Sequence, residues 1–308
     1  MWRALKEFFL RGPRLPLHFM LTSRALACLS LGKGEKRAVS GRAVLSLPAG
    51  CLAPSFDFSN VRNAAELARL VPEAVRLARA SGREASLLLP EACQKSFVLA
   101  FESLPSSPEE RQALIFWRLK KQMPSLPEDV RLSYDAAADG SPRRVFVTLA
   151  RAAVVREYEE VFASSGIKLR NIGLPTLGLL NLLDRNRERD VLLANVEEDA
   201  IGLLGVFDGR AVLYRFKPFL SGKGFSPQDL TAAAGKELAG TLRFLEGREK
   251  KTVKTVWVRA GTGGDAQEIA DGLQAVTTLP VRLLDAPASC GLKPRERHFL
   301  APLIGLSS

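Results

Sequence analysis

One arrangement of elements occurs twice along this chain, and it limits the fold more than any single motif does. In the C-terminal part, apolar runs at Val191–Val196 and Ala200–Phe207 are followed by a tight Asp208-Gly209 turn and a third strand over Ala211–Phe216. Asp-Gly between two such runs is a strong hairpin signal. A long helix (Ser226–Leu245), a strand (Val253–Arg259), a glycine-rich turn, a helix (Ala266–Leu273), a strand (Val281–Leu284) and a last helical stretch (Arg297–Ile304) follow. The N-terminal part has the same order: extended segments at Leu15–Leu21, Ala25–Leu31 and Arg42–Leu47, a helix from Asn63 to about Ala80, and a strand over Glu84–Leu89. Hairpin strands followed by helix–strand alternation pack as a mixed sheet with helices on its faces. Two copies in 308 residues predict a duplicated α/β architecture with two cores.

The first copy is interrupted. Residues 93–166 read as a β-α-β-β-α unit of their own: strand Lys95–Glu102, a helix opened by Ser107-Pro108-Glu109-Glu110, strands Val130–Ala136 and Arg144–Leu149, and a helix Ala152–Ser164 ended by Gly166. A helix over Pro175–Leu183 then leads to a polar break. The expected units are therefore a tail (1–14), a first half (15–92 with 167–188), an inserted subdomain (93–166) and a second half (189–308). Asn63 with Glu66 makes a capping box for the first helix, which Pro72 should kink or split and Gly82 should end.

The net charge of +11 is concentrated at the start: residues 1–42 hold nine Lys or Arg and two Glu, a balance of 9 − 2 = +7. Such an end suits an anionic membrane face, and Trp2, Leu5, Phe8 and Phe9 share one face of a short helix that could lie on it. No apolar run approaches the ~20 residues a membrane span needs, and Glu7, Arg11 and Pro13 break any signal-peptide core. The expected location is cytoplasmic, beside an anionic membrane face. The basic segment lacks the aromatic interleaving or helix pair of a nucleic-acid reader, so no nucleic-acid partner is expected.

Chemistry-bearing residues are sparse. Cys28, Cys51, Cys93 and Cys290 are too scattered for a disulfide framework or zinc knuckle and are expected to be buried, reduced thiols. Only His18 and His298 offer imidazoles, and no P-loop, nucleophile elbow, zincin or EF-hand pattern is present, so neither a catalytic set nor a metal site is expected. The acidic run Glu197-Glu198-Asp199 reads as a hairpin turn. Gly261, Gly263 and Gly264, between a strand and a helix, are the remaining candidates for ligand contact, since a turn without bulky side chains can approach a phosphate or an adenine closely.

The order of short motifs resembles the PilM family of type IV pilus assembly proteins, whose relatives are FtsA and the cytoplasmic part of GspL. The resemblance runs from about residue 15 to 307 and is most specific in the insert: Leu87–Pro90 (LLLP), Val98–Pro105 (VLAFESLP) and Ile115–Pro124 (IFWRLKKQMP), continued by Tyr158, Ser165-Gly166-Ile167 and Pro175-Thr176-Leu177. It implies an actin/Hsp70-like fold of two RNase H-like halves with a subdomain inserted in the first. It also implies a scaffold role in the pilus inner-membrane assembly platform beside other platform proteins, with the cytoplasmic tail of a PilN-like membrane protein held in a groove between residues 85–170 and the first half. Phe97, Phe101, Phe116 and Trp117 are candidate anchors there.

Departures from the family pattern bear on the nucleotide. The first phosphate loop, in the family similar to GIDIGSSSVKAVEL, is His18–Leu31 here, with Met20 in place of the acid and Thr22 in place of a glycine. The second, similar to DIG, is Asn195-Val196-Glu197. A phosphate loop needs glycine for close amide contact and an acid to organise Mg²⁺. The expectation is no ATPase activity and no cofactor, with Gly261, Gly263 and Gly264 the remnant of a nucleotide site. The alternative is a nucleotide-binding actin-like ATPase of a pilus or type II secretion system, with ATP as its cofactor.

Overall fold

The computed structural model describes residues 15–32, 38–136, 142–183, 189–219, 226–261 and 266–307. The basic segment 1–14, the hairpin loop 137–141, most of the polar break after residue 183, and Gly263 and Gly264 lie outside the described residues.

Two five-stranded sheets share one topology. In the first, β1 (Leu17–Leu21), β2 (Ala25–Leu31) and β3 (Val39–Ser46) are joined with β4 (Glu84–Leu88) and β8 (Lys168–Gly173) in the order β3-β2-β1-β4-β8. In the second, β9 (Val191–Val196), β10 (Ala200–Phe207), β11 (Arg210–Pro218), β12 (Thr255–Ala260) and β13 (Val281–Leu283) run β11-β10-β9-β12-β13. In each sheet the first three strands pair antiparallel and the last two run parallel to the first. The repeated order read in the sequence is thus a repeated topology. Between β4 and β8 lies a three-stranded antiparallel sheet of β5 (Gln94–Phe101), β6 (Val130–Ala136) and β7 (Arg143–Arg151), in the order β5-β7-β6.

The helices are α1 (Ala64–Leu77), α2 (Pro108–Gln122), α3 (Ala152–Ser164), α4 (Pro175–Leu180), α5 (Pro227–Gly247), α6 (Ala266–Gln274) and α7 (Pro294–Ser307). β9 and β10 are buried along their whole lengths because both faces of the second sheet are covered. Leu192 and Leu203 point outward against Leu238 and Leu273 of α5 and α6. Leu193 and Leu204 point inward against Leu177 and Leu180 of α4 and Ala301 of α7. The inner face of the first sheet, through Met20, Leu29 and Leu88, meets Leu300 and Leu303 of α7. Helices α4 and α7 therefore form the layer between the two sheets. They can approach so closely because a Cβ on Gly305 would run into the Gly178 carbonyl, and one on Gly178 into that of Pro302.

Several expectations are corrected. Of the two expectations for Pro72, splitting is ruled out: α1 is continuous from Ala64 to Leu77. A proline leaves the carbonyl four residues back without its donor. That carbonyl, Ala68 O, accepts the Ser165 hydroxyl at 3.0 Å instead. The left-handed residue that turns the chain out of α1 is Arg79 (φ 48°), not Gly82. The Asn63 cap is present, its side chain accepting from Glu66 N at 3.0 Å, but the Glu66 carboxylate pairs with Arg69 instead of closing the box. Strand β8 is absent from the sequence reading. It is an edge strand whose Lys168, Leu169, Arg170 and Asn171 are only partly covered, so it carries little hydrophobic periodicity. Of the four free thiols, Cys290 is partly exposed while the others are buried.

Candidate functional site

The expected phosphate turns face each other across the cleft between the halves, and each is closed by this chain's own groups. In the first turn the Thr22 hydroxyl accepts from Arg24 N (3.3 Å) and Ala25 N (3.0 Å), so the amides that a phosphate would use are occupied. Met20, at the acid position, is fully buried in the apolar cluster with Leu300 and Leu303. The Arg24 guanidinium reaches across to Glu198 of the second turn at 2.9 Å.

Beneath the second turn lies a buried polar network. Arg259 of β12 is the register partner of Asn195 of β9, and its side chain is fully buried. Its Nη1 donates to Asn195 Oδ1 at 2.9 Å and is ion-paired with Glu197. Its Nε and Nη2 donate to the carbonyls of His298 (3.1 Å) and Phe299 (2.9 Å) on α7. The His298 carbonyl is the one that Pro302, inside α7, leaves without a helical donor. One guanidinium therefore joins β9, the acidic turn and the helix between the sheets. Burial pushes the Glu197 carboxyl up to about 7, with the nearby Asp199 and Glu91 adding to the rise against the pull of Arg259.

Glu91 extends the network into the first half. It sits in the short turn Glu91–Cys93 that follows β4, and is buried. One carboxylate oxygen accepts from Thr176 N (3.0 Å), the Thr176 hydroxyl and Asn195 Nδ2 (3.2 Å); the other accepts from the Tyr214 hydroxyl at 2.9 Å. Burial beside this carboxylate holds the Tyr214 phenol well above its ordinary value. Gly202 of β10 faces Glu91, and a Cβ there would run into the carboxylate.

A cavity of about 230 Å³ remains beside the network, lined in part by Thr22, Ser23, Glu91, Glu197, Asp199 and Phe219. Its described lining holds three carboxylates and no basic side chain. Carboxylates repel an anion and no basic side chain among the lining residues offsets them, so this cavity opposes a polyphosphate. Of the glycine candidates, Gly261 is described. Its N–H donates to Val196 O at 2.7 Å, and a Cβ on it would meet the Arg259 guanidinium and the Glu197 carboxylate. The run Glu197-Glu198-Asp199 is the turn between β9 and β10, as read. Sequence reasoning missed Glu91, Tyr214 and Arg259. The available signal was Arg259, a charge within an otherwise buried strand, which must find partners or not be buried.

A second opening lies at the seam between the insert and the first half. This groove of about 200 Å³ has apolar walls that include Leu132 of β6, Val155 of α3, Ile172 of β8 and Leu177 of α4. Its polar rim includes Ser133, Thr148 and the paired Arg131 and Glu159, whose two bonds measure 2.6 and 2.9 Å. Strands β6 and β8 are each outermost in their sheets, and both line it. The four candidate anchors lie elsewhere. Phe101 is in the core of the insert, Phe97 and Phe116 pack against that core, and Trp117 is half-exposed on the outside of α2.

No protein-family model matches the sequence, and no curated protein matches it. Among solved structures, a chain of the PilM-PilN type IV pilus biogenesis complex is similar with a TM-score of 0.79 and 18% identity, covering 96% of this chain and 98% of that one. A Bacteroides thetaiotaomicron protein with actin-like ATPase fold and unknown function gives 0.54 at 12% identity, covering 97% and 98%. The ethanolamine utilization protein EutJ from Carboxydothermus hydrogenoformans gives 0.51 at 11%, covering 99% and 95%. Two sheets of one topology about a central cleft, with these likenesses, define a protein of the actin-like ATPase fold. Within that fold its structure is PilM-like, the likeness to a chain of the PilM-PilN complex extending over 96% of its length. Among the described residues no helix is long and apolar enough to cross a membrane, and no three His, Cys, Asp or Glu side chains are placed to hold a metal.

Proposed function

We propose that this chain is a non-catalytic scaffold of a type IV pilus inner-membrane assembly platform. On this reading it works at the cytoplasmic face of the inner membrane and holds the cytoplasmic tail of a PilN-like membrane protein. The observation that carries the reading is the chemistry of the two openings. The described lining of the cleft cavity holds Glu91, Glu197 and Asp199 and no basic side chain, whereas the seam groove has apolar walls and is lined by β6 and β8, each the outermost strand of its sheet. An extended peptide can pair its backbone with such an edge and place alternate side chains in apolar pockets. Gly261 belongs to the internal brace in this reading, and Gly263 and Gly264 are what is left of the nucleotide turn.

The test is binding of a labelled N-terminal peptide of a PilN-like protein, followed by fluorescence anisotropy. Ser133 is exposed on β6 and lines the groove, so Ser133→Trp is expected to weaken binding at least tenfold without unfolding the insert. Failure of the peptide to bind the wild-type chain at millimolar concentration would remove the scaffold reading. Micromolar affinity for Mg²⁺-ATP in a calorimetric titration would replace it with the ATPase alternative.

A further inference from the structure

Helix α2 has two faces that answer to different needs. Ile115 and Leu119 are fully buried against the insert sheet, with Leu99, Val145, Val147 and Leu149. At roughly 100° per residue, Trp117 points almost directly away from both. It is 50% exposed, among the few large apolar side chains on the described surface, and Arg118, Lys120 and Lys121 are exposed around it. The Lys121 ammonium lies 3.9 Å over the Trp117 ring, and that of Lys120 lies 5.1 Å over Phe116. Helix α2 holds four basic side chains, Arg111, Arg118, Lys120 and Lys121, and two acidic ones, Glu109 and Glu110, both in its first turn, so its excess of positive charge lies in the last two turns, around Trp117. Among the described residues, Trp117 is not part of the insert's core cluster.

We propose that the outer face of α2 docks on an anionic lipid surface through Trp117, Arg118, Lys120 and Lys121. The chemistry is that of an interfacial helix: an indole, half apolar and half polar, seats at headgroup depth, while long cationic side chains lie along it and reach the lipid phosphates. Charge complementarity selects the occupant. A neutral apolar partner would leave three ammonium or guanidinium groups desolvated without counter-charge, whereas a bilayer rich in anionic lipid supplies that charge over the whole face. The seam groove lies on the opposite side of the insert sheet, where Ser133 and Thr148 project, so lipid contact at α2 leaves the groove accessible. The platform reading places the protein near a membrane, but the lipid contact stands on α2 alone.

The test is co-sedimentation of the full chain with sucrose-loaded vesicles of pure phosphatidylcholine, or with about a third phosphatidylglycerol, at low and at physiological salt. Binding is expected only to the anionic vesicles and to weaken with salt. Each cation near the surface strengthens partitioning about fivefold, so the triple change Arg118→Gln, Lys120→Gln, Lys121→Gln is expected to lose roughly 100-fold. Trp117→Ser is expected to weaken binding by about tenfold at unchanged charge. Because all four side chains are exposed, the melting temperature and the affinity for the groove peptide should not move. Wild-type chain that ignores anionic vesicles overturns the proposal, as does a triple variant that binds them like the wild type because another surface provides the contact. Loss of peptide binding with vesicle binding intact would defeat only the scaffold reading.

Discussion

Replacing Arg259 by Met keeps most of the buried stem and removes the guanidinium, which isolates what the internal brace contributes. The guanidinium donates to Asn195, to the His298 and Phe299 carbonyls and to Glu197, all within the cleft. Three neutral acceptors lose a donor worth about 1 kcal/mol net each, and a buried carboxylate loses its counter-ion, a change that by itself costs about 3–5 kcal/mol. These contributions overlap, since Glu197 can relieve its isolation by taking up a proton, and a total near 4 kcal/mol is expected. That is about a quarter or more of the stability of an ordinary domain, about 5–15 kcal/mol. The measurement is the urea midpoint with its slope, followed by tyrosine and tryptophan fluorescence. Adding Glu197→Gln to Arg259→Met should recover about 2 kcal/mol, because the uncompensated charge is gone while the α7 carbonyls still lack donors. A loss below about 1 kcal/mol for Arg259→Met, or simple additivity of the two changes, would refute the claim that this pair ties the cleft together.

Two further outcomes test the same region. Gly202→Ala places a methyl against the Glu91 carboxylate and is expected to cost about 2–3 kcal/mol, whereas Gly240→Ala, in open space on α5, is expected to change stability by less than about 1 kcal/mol; thermal melts of the two variants compare them. The Glu197 carboxyl is raised to about 7 in the folded chain, against about 4.3 unfolded. Its contribution is therefore complete below about pH 4.3 and is lost as the pH rises through about 7. Wild type should lose stability relative to Glu197→Gln between about pH 5 and 8, and a constant difference in melting temperature across that window would contradict this environment for Glu197.

The repeated order of elements, and with it the duplicated α/β fold, is legible in the residues alone. That information is local: apolar runs, the Asp208-Gly209 turn and the Ser107 cap, the last two found where they were read. Set against the family pattern that it resembles, the sequence also marks Met20, Thr22, Asn195 and Glu197 as departures at the expected phosphate positions. What fills those positions was decided only by the tertiary structure. Glu91 meets Thr176, Asn195 and Tyr214, and Arg259 meets Glu197 and α7, across separations of 85, 104, 123, 62 and about 40 residues. No periodicity records such encounters, because a buried charge is satisfied by whatever donors the packed helices and sheets bring to it. The same holds for the seam groove. Its walls are the edges of two sheets, and β8, which supplies one of them, is too weakly patterned to be seen until β4 is there to pair with it.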